Sequence, residues 1–258
     1  MNTPGADDED YVKAARASFD AEWSRLYRQM DEGPATADSP FTHYGAILTS
    51  LTSEFGRPID VLDAGCGTGR YFHRLRNIRR LVGLDLSPDM IEQAKTPLHA
   101  DKMQAQSVEL ICGEIGKVPL TAASFDFVYS VGVYGEYAPA DDALLREFAR
   151  LLRPDGRLFL TVVDSPSWVS VPENDSPSFT RRVVRKLFPH MPVSLRVGLN
   201  RTLSPFYVSR AQLDDLFARS QFTDVQITPY VHKTGWAGTH WHCTARKPPA
   251  SEQSAATG

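Results

Sequence analysis

Short apolar runs alternate with helical stretches through the middle of this sequence, and this alternation constrains the fold more than any other feature. The runs are Ile59–Leu62, Leu81–Leu84, Val108–Ile111, Phe125–Val131 and Leu158–Val163. Helices are predicted between them from Thr68, from Ser87-Pro88 and from Pro139 to Leu152. Strands that are apolar throughout are typical of a sheet covered on both faces, so the pattern predicts an α/β fold with a mostly parallel sheet and helices on both faces.

The segments on either side of this region predict further elements. Between Val12 and Met30, apolar residues recur at spacings of three and four, which predicts an amphipathic helix that ends at Gly33-Pro34. Ser39 and Pro40 predict the start of a second helix, and Gly56 its end. The predicted organisation is an N-terminal helical cover (1–56), a core (57–164), an inserted cap (165–208), a helix and two strands that complete the core (209–247), and a disordered tail (248–258).

Composition excludes several classes of protein. The chain has 258 residues and a formal net charge of −3, which does not favour nucleic-acid binding by bulk electrostatics. Its three cysteines are too few and too widely spaced for a disulfide framework, which predicts a cytoplasmic location. The acidic N-terminus is not a secretory signal, and no apolar window approaches the length of a membrane span.

The stretch DAGCGTG, at Asp63 to Gly69, predicts a ligand site. It follows the carboxyl end of a predicted strand, and ligands of open α/β folds bind beyond the carboxyl ends of the strands. Glycines permit tight turning and allow a ligand to approach the backbone closely. A tight turn without a ligand is the alternative, but three glycines at alternate positions are more than a turn requires.

The type of nucleotide-like ligand depends on how the glycines are spaced. Gly65 and Gly67 fit the dinucleotide fingerprint G-x-G-x-x-G, but Arg70 stands at its third glycine position. Asp85 ends the second predicted strand, where an acid that binds a ribose belongs. These residues alone do not exclude a nicotinamide cofactor.

Four successive motifs narrow the choice: VLDAGCGTGRY, LVGLDLSPDMIEQAK, VELICGEIGKVPLTAASFDFVYS and LLRPDGRLFLTV. In order and spacing they resemble the motifs of class I S-adenosylmethionine-dependent methyltransferases, over roughly Ile59 to Val163. The resemblance implies a Rossmann-like seven-stranded sheet with an antiparallel last strand, which THWHCTARK at 239–247 could supply. It also implies S-adenosyl-L-methionine as the cofactor.

The same resemblance assigns residues to the cofactor by position. Asp63 and Gly65 would lie near its methionine part, Gly67 would leave room for it, and Asp85 would accept hydrogen bonds from both ribose hydroxyls. Leu86 and Met90 would flank the adenine, although Met90 equally suits a core position. Glu114 stands where the family usually has an aspartate near the adenine amino group. The complete predicted set is Asp63, Gly65, Cys66, Gly67, Asp85, Leu86, Met90, Glu114, Ile115, Ser130 and Val131, with Cys66 as a small filler of the loop.

The acceptor site is predicted just past the fourth strand, in SVGVYGEYAP. Tyr134, Glu136 and Tyr137 should project there, and Glu136 is the preferred candidate for a general base. An acid near the N-terminus of the following helix is the alternative role for Glu136. The chain lacks the D/N-P-P-Y-type motif of enzymes that methylate adenine or protein glutamine, which argues against a nucleic-acid substrate.

His240 and His242 share one face of a predicted C-terminal strand. His240 is a further catalytic candidate, and no metal site is predicted, because no second cluster offers ligands at a recognisable spacing.

The predicted cap overlaps a basic stretch: from Ser176 to Leu213 the sequence has no acidic residue and seven basic ones. It could be a lid with an ordinary solvated face, a site for an anionic acceptor, or a weak contact with an anionic membrane.

We therefore predict methyl transfer from S-adenosylmethionine to a small molecule, with a specialised metabolite as the expected acceptor, by in-line displacement. A peptide or lipid headgroup acceptor, a non-catalytic cofactor-binding module and a nicotinamide dehydrogenase are the alternatives. The oligomeric state is left open.

Overall fold

Seven strands form one sheet in the computed structural model, which describes residues 16, 19–32, 39–135, 137–163, 206–231, 239–249 and 251. The strands are β1 (Ile59–Ala64), β2 (Ile78–Asp85), β3 (Ser107–Cys112), β4 (Phe125–Tyr134), β5 (Leu152–Val163), β6 (Thr223–Val231) and β7 (Thr239–Arg246). Their order is β3-β2-β1-β4-β5-β7-β6. The first five are mutually parallel, and β7 is antiparallel to both of its neighbours. The predicted mostly parallel seven-stranded sheet is confirmed.

The described helices are α1 (Ala21–Glu32), α2 (Pro40–Ser53), α3 (Pro88–Ala94), α4 (Asp142–Leu151) and α5 (Arg210–Ala218). Ser39 caps α2 as predicted, because its hydroxyl accepts a hydrogen bond from the Phe41 N–H. At α5 the Ser209 side chain and the Gln212 side chain cap each other's backbone N–H groups.

The sheet carries a separate apolar core on each face. Alternate residues of the strands point to opposite faces, so Leu62 and Val128 pack with α4 and α5, while Val61 and Phe127 pack with α2 and α3. The residues of β1 are all buried. Helices on both faces, as predicted, follow from strands that are apolar on both sides.

The predicted helix from Thr68 is wrong. Residues 68–71 form turns, and only Phe72–Arg74 form a single 3-10 turn. Gly69 has a φ of +75°, which no α-helical residue adopts. The backbone hydrogen bonds that follow join residues three apart, as in a 3-10 turn: the Phe72 N–H donates to the Gly69 carbonyl and the Arg74 N–H to the Tyr71 carbonyl. The helix predicted from Pro139 to Leu152 begins at Asp142, because the Asp141 carboxylate accepts from the Leu144 N–H and caps the helix there.

The predicted cap, except its last three residues, lies outside the described residues, as do the start of the first predicted helix, Gly33-Pro34 and most of the predicted tail. Val208, the last residue of the predicted cap, lies beside the end of β5, because its N–H donates to the Val163 carbonyl at 3.3 Å. The cap therefore leaves and rejoins the fold at the carboxyl end of β5, and the proposed division of the chain stays a prediction.

Candidate active site

A cavity of about 750 Å³ opens at the carboxyl ends of β1 to β4. Parallel neighbours end at the same edge of a sheet, so the residues that follow these strands share one wall. The cavity is covered on the other side by α1 and α2, which contribute Trp23, Tyr27 and Tyr44 among others. Its volume is in the usual range of roughly 300–1,000 Å³ for small-molecule sites.

The three glycines after β1 have different functions. All have positive φ, of +90°, +52° and +75° at Gly65, Gly67 and Gly69. A Cβ on Gly65 would lie 2.3 Å from a Val133 methyl, and one on Gly69 would lie 2.7 Å from the Phe72 ring. A Cβ on Gly67 would meet nothing within 4 Å, although Gly67 lines the cavity. Gly65 and Gly69 thus permit close packing, whereas Gly67 leaves bare backbone in the cavity wall.

Asp85, at the end of β2, holds this loop. Its Oδ2 accepts a hydrogen bond from the Gly67 N–H at 2.8 Å, and its Oδ1 accepts from the Ser87 N–H at 2.9 Å. Burial raises the pKa of the Asp85 carboxyl, although these N–H groups oppose the shift. A buried carboxylate at the rim of a cavity, with lone pairs left over, fits a ligand that offers hydroxyl donors.

Asp63, at the end of β1, is fully enclosed. The Tyr129 hydroxyl donates to its Oδ2 at 2.6 Å. Burial raises the pKa of the Asp63 carboxyl to about 8, against the effect of this hydrogen bond, and the charge of Asp85 adds to the rise. A cation placed in the cavity beside Asp63 would favour its ionised form.

The other residues predicted for the cofactor lie mostly on the same wall. Cys66, Leu86, Met90, Glu114, Ile115 and Val131 line the cavity. Ser130 does not, since it is completely buried and its hydroxyl donates to the Ala64 carbonyl at 2.5 Å; the prediction that its side chain lines the cavity is corrected here. The Glu114 carboxylate pairs with Lys117 at 3.0 Å. Burial raises the pKa of the Cys66 thiol well above its usual value, which suits a filler and not a nucleophile.

Aromatic side chains from the N-terminal segment cover the cavity. The Phe19 ring lies 4.8 Å from that of Tyr137 and 5.9 Å from that of Trp23, and Trp23 packs on Met90. The Ser87 hydroxyl, which also caps α3, donates to the Phe19 carbonyl at 2.5 Å. The cover is therefore hydrogen-bonded to the segment that follows β2 and lies over the cavity.

A further set of contacts joins α1 to the loop from Gly65 to Arg70, which we call the glycine loop. Asp31 forms an ion pair with Arg70 and accepts a hydrogen bond from the Thr68 hydroxyl at 2.5 Å. The Arg70 guanidinium lies 3.7 Å from the centre of the Phe41 ring, so it also joins α2 to the loop. This set of contacts was not predicted from the sequence, because Asp31 and Arg70 belong to separate segments with no shared motif.

The acceptor candidates are distributed as follows. Tyr134 ends β4 and lines the cavity, but its ring also packs edge-on against Phe148 at 6.1 Å. His240 lies beside Val163 of β5 and lines the cavity at the same edge of the sheet. Tyr44 of α2 lines it as well, and its buried hydroxyl has no hydrogen-bond partner among the described residues. Glu136 lies outside the described residues, so its role stays a prediction.

Behind His240, rings of α2 and the β6–β7 hairpin stack on one another. His43 stacks on Tyr230 with centroids 4.1 Å apart, and Tyr230 stacks on His242 at 5.0 Å. Burial, with the neighbouring His43 and His240, lowers the pKa of His242 to about 4. His242 is therefore neutral near pH 7 and fixes the strand that carries His240.

Two kinds of site are absent from the described part of the chain. It contains no group of three or more histidine, cysteine, aspartate or glutamate side chains arranged to hold a metal ion. None of its helices combines the length and the hydropathy that a membrane span requires.

Comparison with known proteins places these features in a family. Residues 62–160 match the methyltransferase domain family. A malonyl-[acyl-carrier protein] O-methyltransferase of Hahella chejuensis is 37% identical over 122 residues, which are 46% of this chain and 41% of that protein. The chain thus spans about two fifths of the length of this curated relative.

Solved structures share the fold over a longer range. The 1,6-didemethyltoxoflavin-N1-methyltransferase of Burkholderia thailandensis, with bound 1,6-didemethyltoxoflavin and S-adenosylhomocysteine, has a TM-score of 0.60 at 20% identity, covering 96% of this chain and 93% of that one. The magnesium protoporphyrin IX methyltransferase of Synechocystis PCC 6803, with bound S-adenosylhomocysteine, also has a TM-score of 0.60, at 14% identity over 92% and 99%. Residues 62–160 thus form a methyltransferase domain, in agreement with the predicted resemblance to class I S-adenosylmethionine-dependent methyltransferases, and these solved structures share its fold.

Proposed function

We propose that this chain transfers a methyl group from S-adenosylmethionine to a small, neutral, largely apolar acceptor held beneath α1 and α2. One observation carries the proposal: a single cavity runs from the glycine loop and Asp85 to the aromatic cover and His240. Cofactor and acceptor must meet in one space for in-line displacement, and this cavity is large enough to offer a common space for both.

The fit of the cofactor rests on this chain's own groups. Gly67 leaves room for a ligand against bare backbone, and Asp85 offers a buried carboxylate beside it. When bound, S-adenosylmethionine supplies both the electrophilic methyl group and its leaving group. Asp85 would accept hydrogen bonds from the ribose, and Asp63 would face the cationic methionine end, where its carboxylate is stabilised by the opposite charge.

The remaining lining favours a neutral acceptor over an anionic one. Both cationic side chains that line the described wall are already paired with carboxylates, Arg70 with Asp31 and Lys117 with Glu114. An acceptor anion would find neither cation free, whereas the rings of Phe19, Trp23 and Tyr137 suit an apolar or aromatic molecule. The specialised-metabolite class remains part of this proposal.

Two groups could assist at the acceptor. Burial raises the pKa of the Tyr44 hydroxyl, so it keeps its proton and would donate a hydrogen bond to an acceptor oxygen or nitrogen. An imidazole nitrogen of His240 would take the proton of a hydroxyl acceptor as its oxygen attacks the methyl group, or the proton of an ammonium acceptor before its nitrogen attacks. Glu136, the other base candidate, is proposed from its place in the sequence alone.

A direct test combines the protein, S-adenosylmethionine and a metabolite extract, and follows two products by mass spectrometry. The proposal predicts S-adenosylhomocysteine together with a metabolite heavier by one CH₂. Once the acceptor is known, His240→Gln should lower the turnover number by roughly a hundredfold without changing cofactor affinity. His43→Gln is the matched control, since His43 belongs to the same ring stack but does not line the cavity. Normal turnover by His240→Gln, with loss in Glu136→Gln, would assign the base to Glu136.

A carboxylate carried on an acyl-carrier protein is the second candidate acceptor. It is favoured by the similarity to the Hahella chejuensis enzyme, whose name describes that reaction. A carboxylate needs no base, so this acceptor would leave His240→Gln fully active. Methylation of a malonyl thioester on its carrier protein, and not of neutral aromatic compounds, would replace our first candidate with this one.

A further inference from the structure

A second pocket of about 530 Å³ lies away from the candidate active site and shares no lining residue with it. It is formed where the chain enters β2 and where it enters β3, since Arg76 precedes Ile78 and Gln104 precedes Ser107 by a few residues. Because β2 and β3 are parallel neighbours, their amino ends bring these two segments together. We call this the basic pocket, after the side chains that face it: His73, Arg74, Arg76, His99 and Lys102.

The cations of the basic pocket lack carboxylate partners. In the described residues, Arg74, Arg76 and Lys102 form no ion pair, and Asp101, which also lines the pocket, is exposed and pairs with none of them. Two arginines a few residues away do form ion pairs: Arg79 pairs with Asp60 at 2.6 Å and Arg80 with Glu109 at 3.9 Å. Within this part of the chain, the three positive charges that line the pocket therefore exceed the single negative charge of Asp101.

The two histidines of the basic pocket lie close to each other and to its positive charges. The His73 and His99 rings lie 4.8 Å apart, and the His73 Nδ1 is buried with no hydrogen-bond partner in the part of the chain that the structure describes. Burial lowers the pKa of His73 to about 4, and the charges of Arg74, His99, Lys102 and Arg76 add to the effect. An anion in the pocket would reverse those charge interactions and would give the imidazole nitrogens an acceptor.

The two arginines are already held in place. The Arg76 Nη1 donates to the carbonyls of His73 and Leu75, both at 3.0 Å, and Arg74 lies along α2 against Gly45. Both side chains are only half-exposed, so little side-chain freedom is left to lose when a ligand binds. Guanidinium groups match the geometry of phosphate oxygens, and lysine adds a point charge.

We propose that the basic pocket binds a phosphate-type oxyanion, either inorganic or as the phosphate of a small metabolite. The cluster of cations, the buried lone nitrogen of His73 and a pocket of ligand size carry this inference, and it does not depend on the proposed methyl transfer. The site is distinct from the cofactor cavity, so its ligand should bind independently of S-adenosylhomocysteine.

Calorimetric titration at constant ionic strength tests the site, with inorganic pyrophosphate and ribose 5-phosphate as the two probes. The parent should bind at least one of them, and the double variant Arg74→Gln/Lys102→Gln should bind it roughly tenfold or more weakly, since each lost contact is a charge-assisted hydrogen bond. The matched control Arg25→Gln/Arg146→Gln removes the same charge from exposed arginines elsewhere and should bind like the parent. Equal weakening in the control, or no binding of either probe at millimolar concentration, would overturn the proposal.

A second measurement uses the parent protein alone. The pKa of His73, followed by NMR through the pH titration of its ring resonance, should rise when the bound probe is present. An unchanged His73 titration, or displacement of the probe by S-adenosylhomocysteine, would place the anion elsewhere and contradict the assignment.

Discussion

Replacing Gly67 by alanine, with Gly56 as a control, distinguishes an effect on cofactor binding from an effect of backbone strain. Gly67 and Gly56 have nearly the same conformation, with φ of +52° and +60°, and an added Cβ at either position meets nothing within 4 Å. Only Gly67 lines the cavity, whereas Gly56 follows α2 on the surface. Gly56→Ala is therefore a control that has the same backbone strain without the ligand.

The two variants should lose similar stability. Alanine in the left-handed region costs about 1–2 kcal/mol, and the lower entropy of the unfolded chain offsets part of this cost. A net loss of about 1 kcal/mol corresponds to a fall of about 2–4 °C in Tm for a chain of this size, which circular dichroism would measure for both variants.

Cofactor affinity should differ between them. We expect the parent to bind S-adenosylhomocysteine in the low-micromolar range, on the order of −8 kcal/mol. Crowding a packed site by one methyl group costs about 1–3 kcal/mol, so Gly67→Ala should weaken binding by roughly 5- to 150-fold, while Gly56→Ala binds like the parent. Calorimetric titration would refute the reasoning if Gly67→Ala bound within about twofold of the parent, or if both variants lost affinity equally.

Three further predictions follow from individual side chains. Asp85→Ala should weaken cofactor binding by about 1.5–3 kcal/mol, because a charged acceptor is lost, while Asp89→Ala on the first turn of α3 should not; equal affinities in a titration would show that the ribose lies elsewhere. Because the pKa of Asp63 is about 8 and its ionised form favours a cationic ligand, S-adenosylmethionine affinity should rise as the pH increases from 6 to about 9, with proton release on binding; Asp63→Asn should flatten this dependence, and a pH-independent parent would contradict the assignment. His242 has a pKa of about 4 in the folded protein against 6.5 unfolded, so its contribution to stability is present above about pH 6.5 and lost as the pH falls towards 4. The free energy of unfolding, measured with urea, should therefore fall with pH over this range, and the fall should be smaller in His242→Phe. An equal fall in this variant would assign the pH dependence to other groups.

The strands and the glycine loop were predictable because each is encoded within a short segment. Apolar runs such as Phe125–Val131 predict buried strands directly, and Asp85 was assigned from its position at a strand end. Gly69 illustrates a limit of such reasoning: a glycine is compatible with a turn or a helix, and its φ of +75° decides for the turn. The predicted helix from Thr68 failed at this residue.

Contacts between distant segments were not predictable from one sequence. Tyr129 donates to Asp63 only because β4 lies beside β1, and the sequence of either strand alone does not show this pairing. The basic pocket likewise joins residues near 74 and near 102, whose charges look like ordinary solvated positions in the sequence. Asp31 and Arg70 are brought together in the same way.

A crystal structure of the chain with S-adenosylhomocysteine tests the central claim, that the cavity at the carboxyl edge of the sheet is the cofactor site. The account predicts the ligand against the Gly67 backbone, with both ribose hydroxyls within about 2.5–3.0 Å of the Asp85 carboxylate oxygens and the sulfur directed towards the side of the cavity lined by Tyr44 and His240. Electron density for the ligand outside this cavity, or a ribose that does not contact Asp85, would contradict it.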